Sequence, residues 1–205
     1  MRIVVVDYGA GNLRSVVRAA AHAGYDAQVS SQPADVQTAD VLIVPGVGAA
    51  ADTMSNLRQR GLVQPILDYI AADRPYLGIC MGLQALFTLS EEGGRHECLN
   101  VIPGPVRRLP AGLKVPQMGW NQVRQRRSHP VFDGIPDDSY FYFVHSYYPI
   151  PEDADMVIGE TEYGVTFPSM VAKGKVVATQ FHPEKSGDFG LLLYRNFLAW
   201  AKSGQ

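Results

Sequence analysis

Unbroken apolar runs of strand length alternate with helical apolar stripes along the first half of the chain. Strands that are buried on both faces give such runs, as at 2–7, where an acid ends the run. The stripe at 13–23 is followed by Gly24, a residue typical of helix ends. This alternation predicts a mainly parallel sheet with helices on both faces. We predict strands at 2–7, 25–29, 41–44 and 76–79, and helices at 13–23, 57–72 and 81–89.

The second half of the chain changes to short apolar segments separated by turn-forming pairs such as Asp133-Gly134 and Lys173-Gly174. Short connections of this kind favour antiparallel strands. No linker divides the chain, so we expect a single α/β domain over 1–205 with a mixed, mainly parallel open sheet and antiparallel strands in the second half. The predicted strands are 101–109, 115–123, 140–147, 156–162, 167–172 and 175–181, and the final helix is 190–202.

Composition and charge exclude several classes of protein. A length of 205 residues fits one domain, and shares of 46% hydrophobic and 19% charged residues are typical of a globular protein. The net charge of −2 offers no basic face for nucleic acid, and no apolar run approaches the roughly 20 residues that span a bilayer. The chain opens on a strand pattern without a signal peptide and has only two cysteines, Cys80 and Cys98, so we expect a cytoplasmic protein.

The segment Gly78-Ile79-Cys80-Met81-Gly82 lies where a buried strand should end and a helix should begin. A G-x-Cys-x-G pattern at such a junction indicates a nucleophile elbow, because a Cβ at either glycine would clash where the strand and helix backbones press together. The turn lifts the sulfur above the carboxyl edge of the sheet, at a helix N-terminus that favours the thiolate. The alternative is a buried core cysteine, which is the usual state of a free Cys.

A cysteine nucleophile needs a base, and His182 is the strongest candidate among the five histidines. It ends a predicted strand and is followed by Pro183-Glu184. Because Pro stops the strand, His182 and Glu184 can lie together at the sheet edge, where the carboxylate orients the imidazole toward a thiol. Alone, His-Pro-Glu also fits an ordinary strand-ending turn. His145 fits either a hydrogen-bonded core histidine or a pocket residue.

Two glycine-containing segments follow the first and third strands. Pro45-Gly-Val-Gly48 follows a strand expected beside that of Cys80, and its glycines let the backbone turn an N–H toward a developing oxyanion. A tight strand-to-helix turn explains this segment equally well. Near the start, Asp7-Tyr-Gly-Ala-Gly-Asn-Leu-Arg14 has Arg14 where a dinucleotide-binding fingerprint has its third glycine, so dinucleotide binding is poorly supported.

Several motifs together resemble the class I, triad-type glutamine amidotransferases, and among them the glutaminase subunits of imidazole glycerol phosphate synthase. The resemblance runs from the first strand to the last helix. It is carried by Gly78-Ile-Cys-Met-Gly-Leu-Gln84 and Gln180-Phe-His-Pro-Glu184, and more narrowly by Asp7-Tyr-Gly-Ala-Gly-Asn-Leu-Arg-Ser15, Pro45-Gly-Val-Gly48, Gln117-Met-Gly-Trp-Asn121, Phe143-Val-His-Ser-Tyr147 and Phe181-His-Pro-Glu-Lys-Ser186.

The resemblance implies a reaction and a partner. Glutamine is hydrolysed to glutamate and ammonia, and a separate cyclase subunit with a (β/α)₈ barrel receives the ammonia in a heterodimer. The pair then makes imidazole glycerol phosphate and an aminoimidazole carboxamide ribotide in histidine biosynthesis. The reaction implied for this subunit needs no metal and no organic cofactor.

The resemblance also assigns roles to matching positions. Cys80 is the nucleophile, His182 the base and Glu184 the group that orients the imidazole. The N–H groups of Met81 and Val47 hold the oxyanion. The residues implied to bind the amino and carboxylate groups of glutamine are Gly48, Gln84, Glu92, Ser146 and Tyr147, although Glu92 also fits a solvated acid. The residues expected to meet the cyclase are Trp120, Tyr142 and Lys185.

Two other classes of protein remain open. The first is an independent hydrolase of the same fold, either a Cys peptidase or a glutaminase serving another pathway. Such an enzyme would not explain why Trp120 and Lys185 should be exposed together. A non-catalytic regulatory module should have lost Cys80, His182 or Glu184, and all three are present.

Overall fold

The computed structural model of the chain describes residues 1–203, so the last two residues of the predicted domain lie outside the described residues. The strands are β1 (Ile3–Val6), β2 (Ala27–Ser30), β3 (Val41–Val44), β4 (Tyr76–Ile79), β5 (Phe87–Ser90), β6 (His96–Glu97), β7 (Ile102–Arg108), β8 (Gln117–Gln125), β9 (Ser139–His145), β10 (Tyr147–Pro149), β11 (Val157–Glu162), β12 (Thr166–Lys173) and β13 (Val176–Thr179). The α-helices are α1 (Leu13–His22), α2 (Pro33–Thr38), α3 (Ala50–Gln59), α4 (Val63–Ala71), α5 (Met81–Gln84) and α6 (Gly187–Ser203).

One mixed sheet of nine strands forms the centre of the fold, in the order β2-β1-β3-β4-β13-β12-β11-β8-β9. In this order, each neighbouring pair from β2 through β1, β3 and β4 to β13 is parallel. Each neighbouring pair from β13 through β12, β11 and β8 to β9 is antiparallel. The predicted change from a parallel first half to an antiparallel second half is therefore confirmed. Strand β13 joins the two halves: it pairs with β4 so that Thr179 lies opposite Ile79. The residues that follow these two strands consequently emerge side by side at one edge.

Helices cover both faces of the sheet. In β1, Ile3 and Val5 belong to a core that includes residues of α1 and α6, whereas Val4 and Val6 belong to a core shared with α2, α3 and α4. This alternation follows from the two-residue period of a strand, whose side chains point to opposite faces. A strand buried on both sides explains the unbroken apolar run with which the chain begins.

The predicted helix at 81–89 is wrong beyond its first turn. Helix α5 ends at Gln84, and Phe87–Ser90 is instead strand β5 of a second sheet with the order β10-β7-β5-β6. The backbone carbonyls of Ala85, Leu86 and Phe87 accept hydrogen bonds from N–H groups of residues 99–102 at 2.8–2.9 Å. Carbonyls that would have continued the helix are therefore occupied by a distant segment, which a local apolar pattern cannot reveal.

Other boundaries differ in smaller ways. The segment predicted as one helix at 57–72 contains the end of α3 and the whole of α4, with Gly61 between them. Pro65 does not break α4, because it lies in the first turn, where its missing N–H has no partner to lose. The strand predicted at 140–147 divides at Ser146 into β9 and β10, which belong to different sheets. Helix α2 was not predicted, and no helix within residues 1–203 is long and apolar enough to cross a membrane.

Candidate active site

Cys80 occupies a tight turn between β4 and α5. Its backbone has φ 54° and ψ −102°, a conformation that non-glycine residues rarely adopt. A Cβ at Gly82 would lie 1.8 Å from the carbonyl oxygen of Val44, and one at Gly78 would lie 2.6 Å from the carbonyl oxygen of Gly82. The two glycines therefore allow the backbones to approach as the elbow pattern requires, and the turn places Cys80 at the N-terminus of α5.

His182 and Glu184 lie together just beyond β13. Nδ1 of His182 is 2.8 Å from Oε1 of Glu184, and both side chains are only 2% exposed. Nε2 of His182 makes no hydrogen bond to any of the described residues 1–203. His182 belongs to the wall of the same cavity as Cys80. One imidazole nitrogen is thus held by the carboxylate, and the other is available on the side of the thiol.

The surroundings of His182 favour its protonated form. Burial alone would lower the pKa of His182, but the adjacent Cys80 sulfur and the Glu184 carboxylate outweigh burial and raise that pKa to about 9. The second oxygen of Glu184, Oε2, is buried and has no hydrogen-bond partner within the described chain. Tyr194 lies near this carboxylate, and burial followed by the negative charge of Glu184 raises the pKa of its hydroxyl.

A cavity of about 190 Å³ opens in front of Cys80. This volume is below the roughly 300–1,000 Å³ of pockets for drug-sized ligands, and it suits a molecule as small as one amino acid. All five residues expected to bind glutamine are in its wall, together with both residues expected to hold the oxyanion. The lining consists of Val47, Gly48, Cys80, Met81, Gln84, Glu92, Val144, His145, Ser146, Tyr147 and His182.

Two polar side chains of the cavity wall have defined partners. Oε2 of Glu92 accepts a hydrogen bond from the N–H of Ala50 at 2.9 Å, so the carboxylate is anchored rather than free in solvent. Gln84 is 2% exposed, and its Nε2 donates to the carbonyl oxygen of Tyr147 at 2.9 Å. Oε1 of Gln84 has no partner within residues 1–203. This acceptor and the carboxylate of Glu92 are both suited to an ammonium group.

His145 satisfies both interpretations that its sequence context left open. It lines the cavity and is also hydrogen-bonded, with Nδ1 2.8 Å from the carbonyl oxygen of Tyr147 and Nε2 2.9 Å from Oε1 of Gln117. Burial, and secondarily the nearby charge of His182, lower the pKa of His145 to about 4. The imidazole is therefore neutral at physiological pH, and it acts as a fixed wall of the site.

The two glycine-containing segments have different surroundings. Gly46 packs so tightly that a Cβ there would lie 2.1 Å from the hydroxyl oxygen of Tyr8, whereas Gly48 is open and has φ +96°. Near the N-terminus, the side chain of Asn12 caps α1 by accepting a hydrogen bond from the N–H of Ser15 at 3.4 Å.

Among the described residues, no group of three or more His, Cys, Asp or Glu is placed to hold a metal ion.

The residues expected at a partner interface form one exposed cluster outside the cavity. Trp120, which is 56% exposed, and Tyr142 are cross-strand neighbours on β8 and β9, and their rings meet edge to face with centroids 6.2 Å apart. Nζ of Lys185 lies 5.9 Å from the centroid of the Tyr142 ring. Met118 and Tyr140, exposed by 64% and 54%, extend the same pair of strands and were not singled out from the sequence.

Two further residues at the site had no assigned role. Gln180 is fully buried, and its Nε2 donates to Sγ of Cys80 at 3.7 Å. Ser186 links the backbones of Tyr142 and His182 through its hydroxyl. The position of Gln180 two residues before His182 was a usable signal, because residues i and i+2 of an extended segment point to the same side.

Comparison with known proteins agrees with this geometry. Residues 4–199 match the family model for glutamine amidotransferase class-I. The chain is 52% identical over 199 residues to imidazole glycerol phosphate synthase subunit HisH of Dehalococcoides mccartyi strain CBDB1, covering 97% of each chain. It is 49% identical over 208 residues to the subunit of the same name from Chloroflexus aurantiacus strain ATCC 29364 / DSM 637 / Y-400-fl, covering 99% of this chain and 98% of the relative.

A solved structure shares the fold at low sequence identity. The structure of PurLQS from Thermotoga maritima aligns with a TM-score of 0.76 at 17% identity, covering 97% of this chain and 98% of that one. By the full-length sequence matches and the family model, the chain belongs to the class-I glutamine amidotransferase family, in the group of the HisH subunits of imidazole glycerol phosphate synthase.

Proposed function

We propose that this chain hydrolyses glutamine to glutamate and ammonia as the glutaminase subunit of an imidazole glycerol phosphate synthase in histidine biosynthesis. The observation that carries the proposal is the arrangement around Cys80. Cys80 and His182 line one small cavity, and Glu184 holds Nδ1 of the imidazole at 2.8 Å, which leaves Nε2 for the thiol proton. The HisH relatives match this chain at about half of the aligned positions over nearly their full length, and this similarity supports imidazole glycerol phosphate synthase as the enzyme.

In the first half of the reaction, the sulfur of Cys80 attacks the side-chain amide carbon of glutamine, and Nε2 of His182 takes the thiol proton. Because the raised pKa of His182 lets it keep this proton, the imidazolium then donates it to the leaving nitrogen, and ammonia departs. A γ-glutamyl thioester remains on Cys80. In the second half, His182 takes a proton from water, the resulting hydroxide attacks the thioester, and glutamate leaves as the sulfur regains its proton.

Two backbone N–H groups would hold the oxyanion formed in each half. Met81 is the first residue of α5, and the first N–H groups of a helix have no partner inside it. Val47 supplies the second, from the open end of the Pro45-Gly-Val-Gly48 segment in the cavity wall. Glycines flank Val47, and because Gly permits φ of either sign, a flip of a peptide in this segment would form or remove the donor. Loss of one oxyanion donor costs about 10²–10³ in turnover.

The remaining cavity wall would bind the amino-acid end of glutamine. The anchored carboxylate of Glu92 and the free Oε1 of Gln84 suit its ammonium group. Gly48, Ser146 and Tyr147 would hold its carboxylate, through N–H and hydroxyl donors on the same wall. A bound α-amino acid with an amide side chain then presents its amide carbon to Cys80.

The synthase has a partner subunit, and we propose that it is a cyclase with a (β/α)₈ barrel that forms a heterodimer with this chain. The exposed cluster of Trp120, Tyr142 and Lys185 supports this surface as the contact, because aromatic and cationic residues are enriched in binding hot spots. This cluster lies beside His182, so ammonia would leave through it.

We also propose a cytoplasmic location, since both cysteines are free thiols.

The test is a glutaminase assay of the purified chain, alone and with the cyclase subunit and its nucleotide ligand. We expect slow glutamate release by the free chain and a rise of about 10²–10³ in the loaded complex, the range that one oxyanion donor supplies. A peptide panel run in parallel should give no product. Hydrolysis of peptides, or glutamine turnover that the cyclase leaves unchanged, would favour an independent hydrolase of the same fold.

A further inference from the structure

A buried amide network leads from the cavity wall to the sulfur of Cys80. Gln180 follows β13 just as Cys80 follows the neighbouring β4, and the paired ends of these strands bring the two residues together. The side chain of Gln180 is fully buried, and its Nε2 lies 3.7 Å from Sγ of Cys80. Its Oε1 accepts from Nε2 of Gln84 at 3.0 Å.

The network fixes which end of each amide faces its neighbour. The carbonyl oxygen of Tyr147 can only accept, and Nε2 of Gln84 lies 2.9 Å from it, so Gln84 must present its NH₂ group there. The second hydrogen of that NH₂ points to Gln180, which therefore presents Oε1 to Gln84. The opposite end of the Gln180 amide, its NH₂ group, is left facing the sulfur.

We propose that Gln180 is a further catalytic residue, whose side-chain N–H stabilises the thiolate of Cys80, and that Gln84 is the residue that positions it. This rests on the proposed function, in which the sulfur carries negative charge before it attacks and again when the thioester breaks down. A hydrogen bond to an ionised partner is about twice as strong as one between neutral groups. Gln180 therefore favours the reactive form of the sulfur over the thiol.

The other contact of the sulfur sharpens this argument. The thiol of Cys80 is placed to donate to the carbonyl oxygen of Val144 at 3.9 Å, a contact that the thiolate cannot make. The carbonyl of Val144 can accept only from the protonated form, whereas the amide of Gln180 bonds more strongly to the ionised form. Removing the amide donor should consequently shift the balance toward the inert thiol.

The experiment measures the rate at which iodoacetamide alkylates Cys80 in the full chain between pH 5 and 10, without glutamine. We expect Gln180→Met, which keeps the length of the side chain and removes the donor, to move the midpoint of this profile upward by about one pH unit, a tenfold loss of thiolate below the midpoint. The matched control is Gln117→Met. Gln117 is also buried, but its amide meets His145 instead of sulfur, so the midpoint should stay within about 0.2 unit of wild type.

A second variant keeps the proposal falsifiable if Gln180→Met does not fold. Gln84→Met leaves Gln180 in place but frees its amide to turn, so the midpoint should rise by a smaller amount, and in the double variant the two shifts should not add. An unchanged midpoint in the folded variants, or an equal shift in Gln117→Met, would overturn the proposal. The readout needs no glutaminase activity, so its failure is distinct from a failure of the proposed function.

Discussion

The backbone carbonyl of Tyr142 accepts a hydrogen bond from the backbone N–H of His182 at 2.9 Å. Ser186 reinforces this link, since its hydroxyl donates to the carbonyl of His182 at 2.6 Å and accepts from the N–H of Tyr142 at 2.9 Å. The ring of Tyr142 belongs to the exposed cluster with Trp120 and Lys185. A partner bound to that cluster would thus act on a strand tied directly to the backbone of His182, the proposed base.

Replacing Ser186 with Ala should loosen this tie. We expect kcat for glutamine in the complex to fall about tenfold, about 1.4 kcal/mol in barrier, with KM within about twofold, because the base loses its position while the cavity wall is unchanged. Ser139→Ala is the matched control, since Ser139 is also a buried serine, but its hydroxyl donates to the carbonyl of Pro136, away from His182. Equal losses in both variants would show that Ser186 contributes only to general stability.

Lys185 and Trp120 should matter for coupling between the subunits. Removing one member of a desolvated charge pair commonly costs about 2–5 kcal/mol, so Lys185→Ala should weaken the complex or release ammonia that the cyclase does not use. The measurement is glutamate released per imidazole product, together with the dissociation constant. Lys202 is an exposed lysine near the end of α6, so Lys202→Ala should leave the product ratio and the dissociation constant unchanged. A ratio near one and an unaltered affinity in both Lys185→Ala and Trp120→Ala would place the interface elsewhere.

Alkylation should distinguish the two cysteines. Cys80 shares the cavity wall with His182, the proposed base that would take the proton of its thiol. Burial raises the pKa of the Cys98 thiol to about 11, against a smaller lowering effect of Arg58. Limited iodoacetamide treatment and peptide mapping should label Cys80 at least about tenfold faster, and preferential labelling of Cys98 would contradict an activated Cys80.

The stability of the fold should depend on the titration of His182. Its folded pKa of about 9 lies above the ordinary 6.5, so the stability that it contributes is fully present below about pH 6.5 and is lost as the pH rises through about 9. Urea unfolding at a series of pH values should show a steeper loss across this window in wild type than in His182→Gln. His22→Gln, which changes a solvent-exposed histidine, should keep the wild-type slope. Parallel profiles for wild type and His182→Gln would contradict the assigned shift.

The features that sequence predicted well are those that depend on local backbone sterics. Gly78 and Gly82 indicate the elbow at Cys80, because close backbone approach admits no Cβ there, and the structure has this approach. Pro183 likewise marks the turn where His182 and Glu184 meet, although β13 itself ends earlier, at Thr179. The alternation of the β1 side chains between the two cores follows from strand geometry alone.

The features that sequence did not reveal depend on contacts between distant segments. The second sheet exists because residues 99–102 take the carbonyls of 85–87, which ends α5 early. The amide network of Gln84 and Gln180 spans 96 residues of sequence and requires the pairing of β4 with β13. No local pattern encodes either contact, although each follows once the strand order is known.

The most direct test of the central claim compares glutamine and ammonium as nitrogen donors in the complete complex with Cys80→Ala. Loss of a thiol nucleophile typically costs orders of magnitude in rate, so we expect glutamine hydrolysis to fall by at least about 10³. Synthesis of the imidazole product from added ammonium should continue at the wild-type rate, because the partner subunit performs that step. Glutamine hydrolysis within about tenfold of wild type, roughly 1.4 kcal/mol in barrier, would contradict the assignment of Cys80 as the nucleophile.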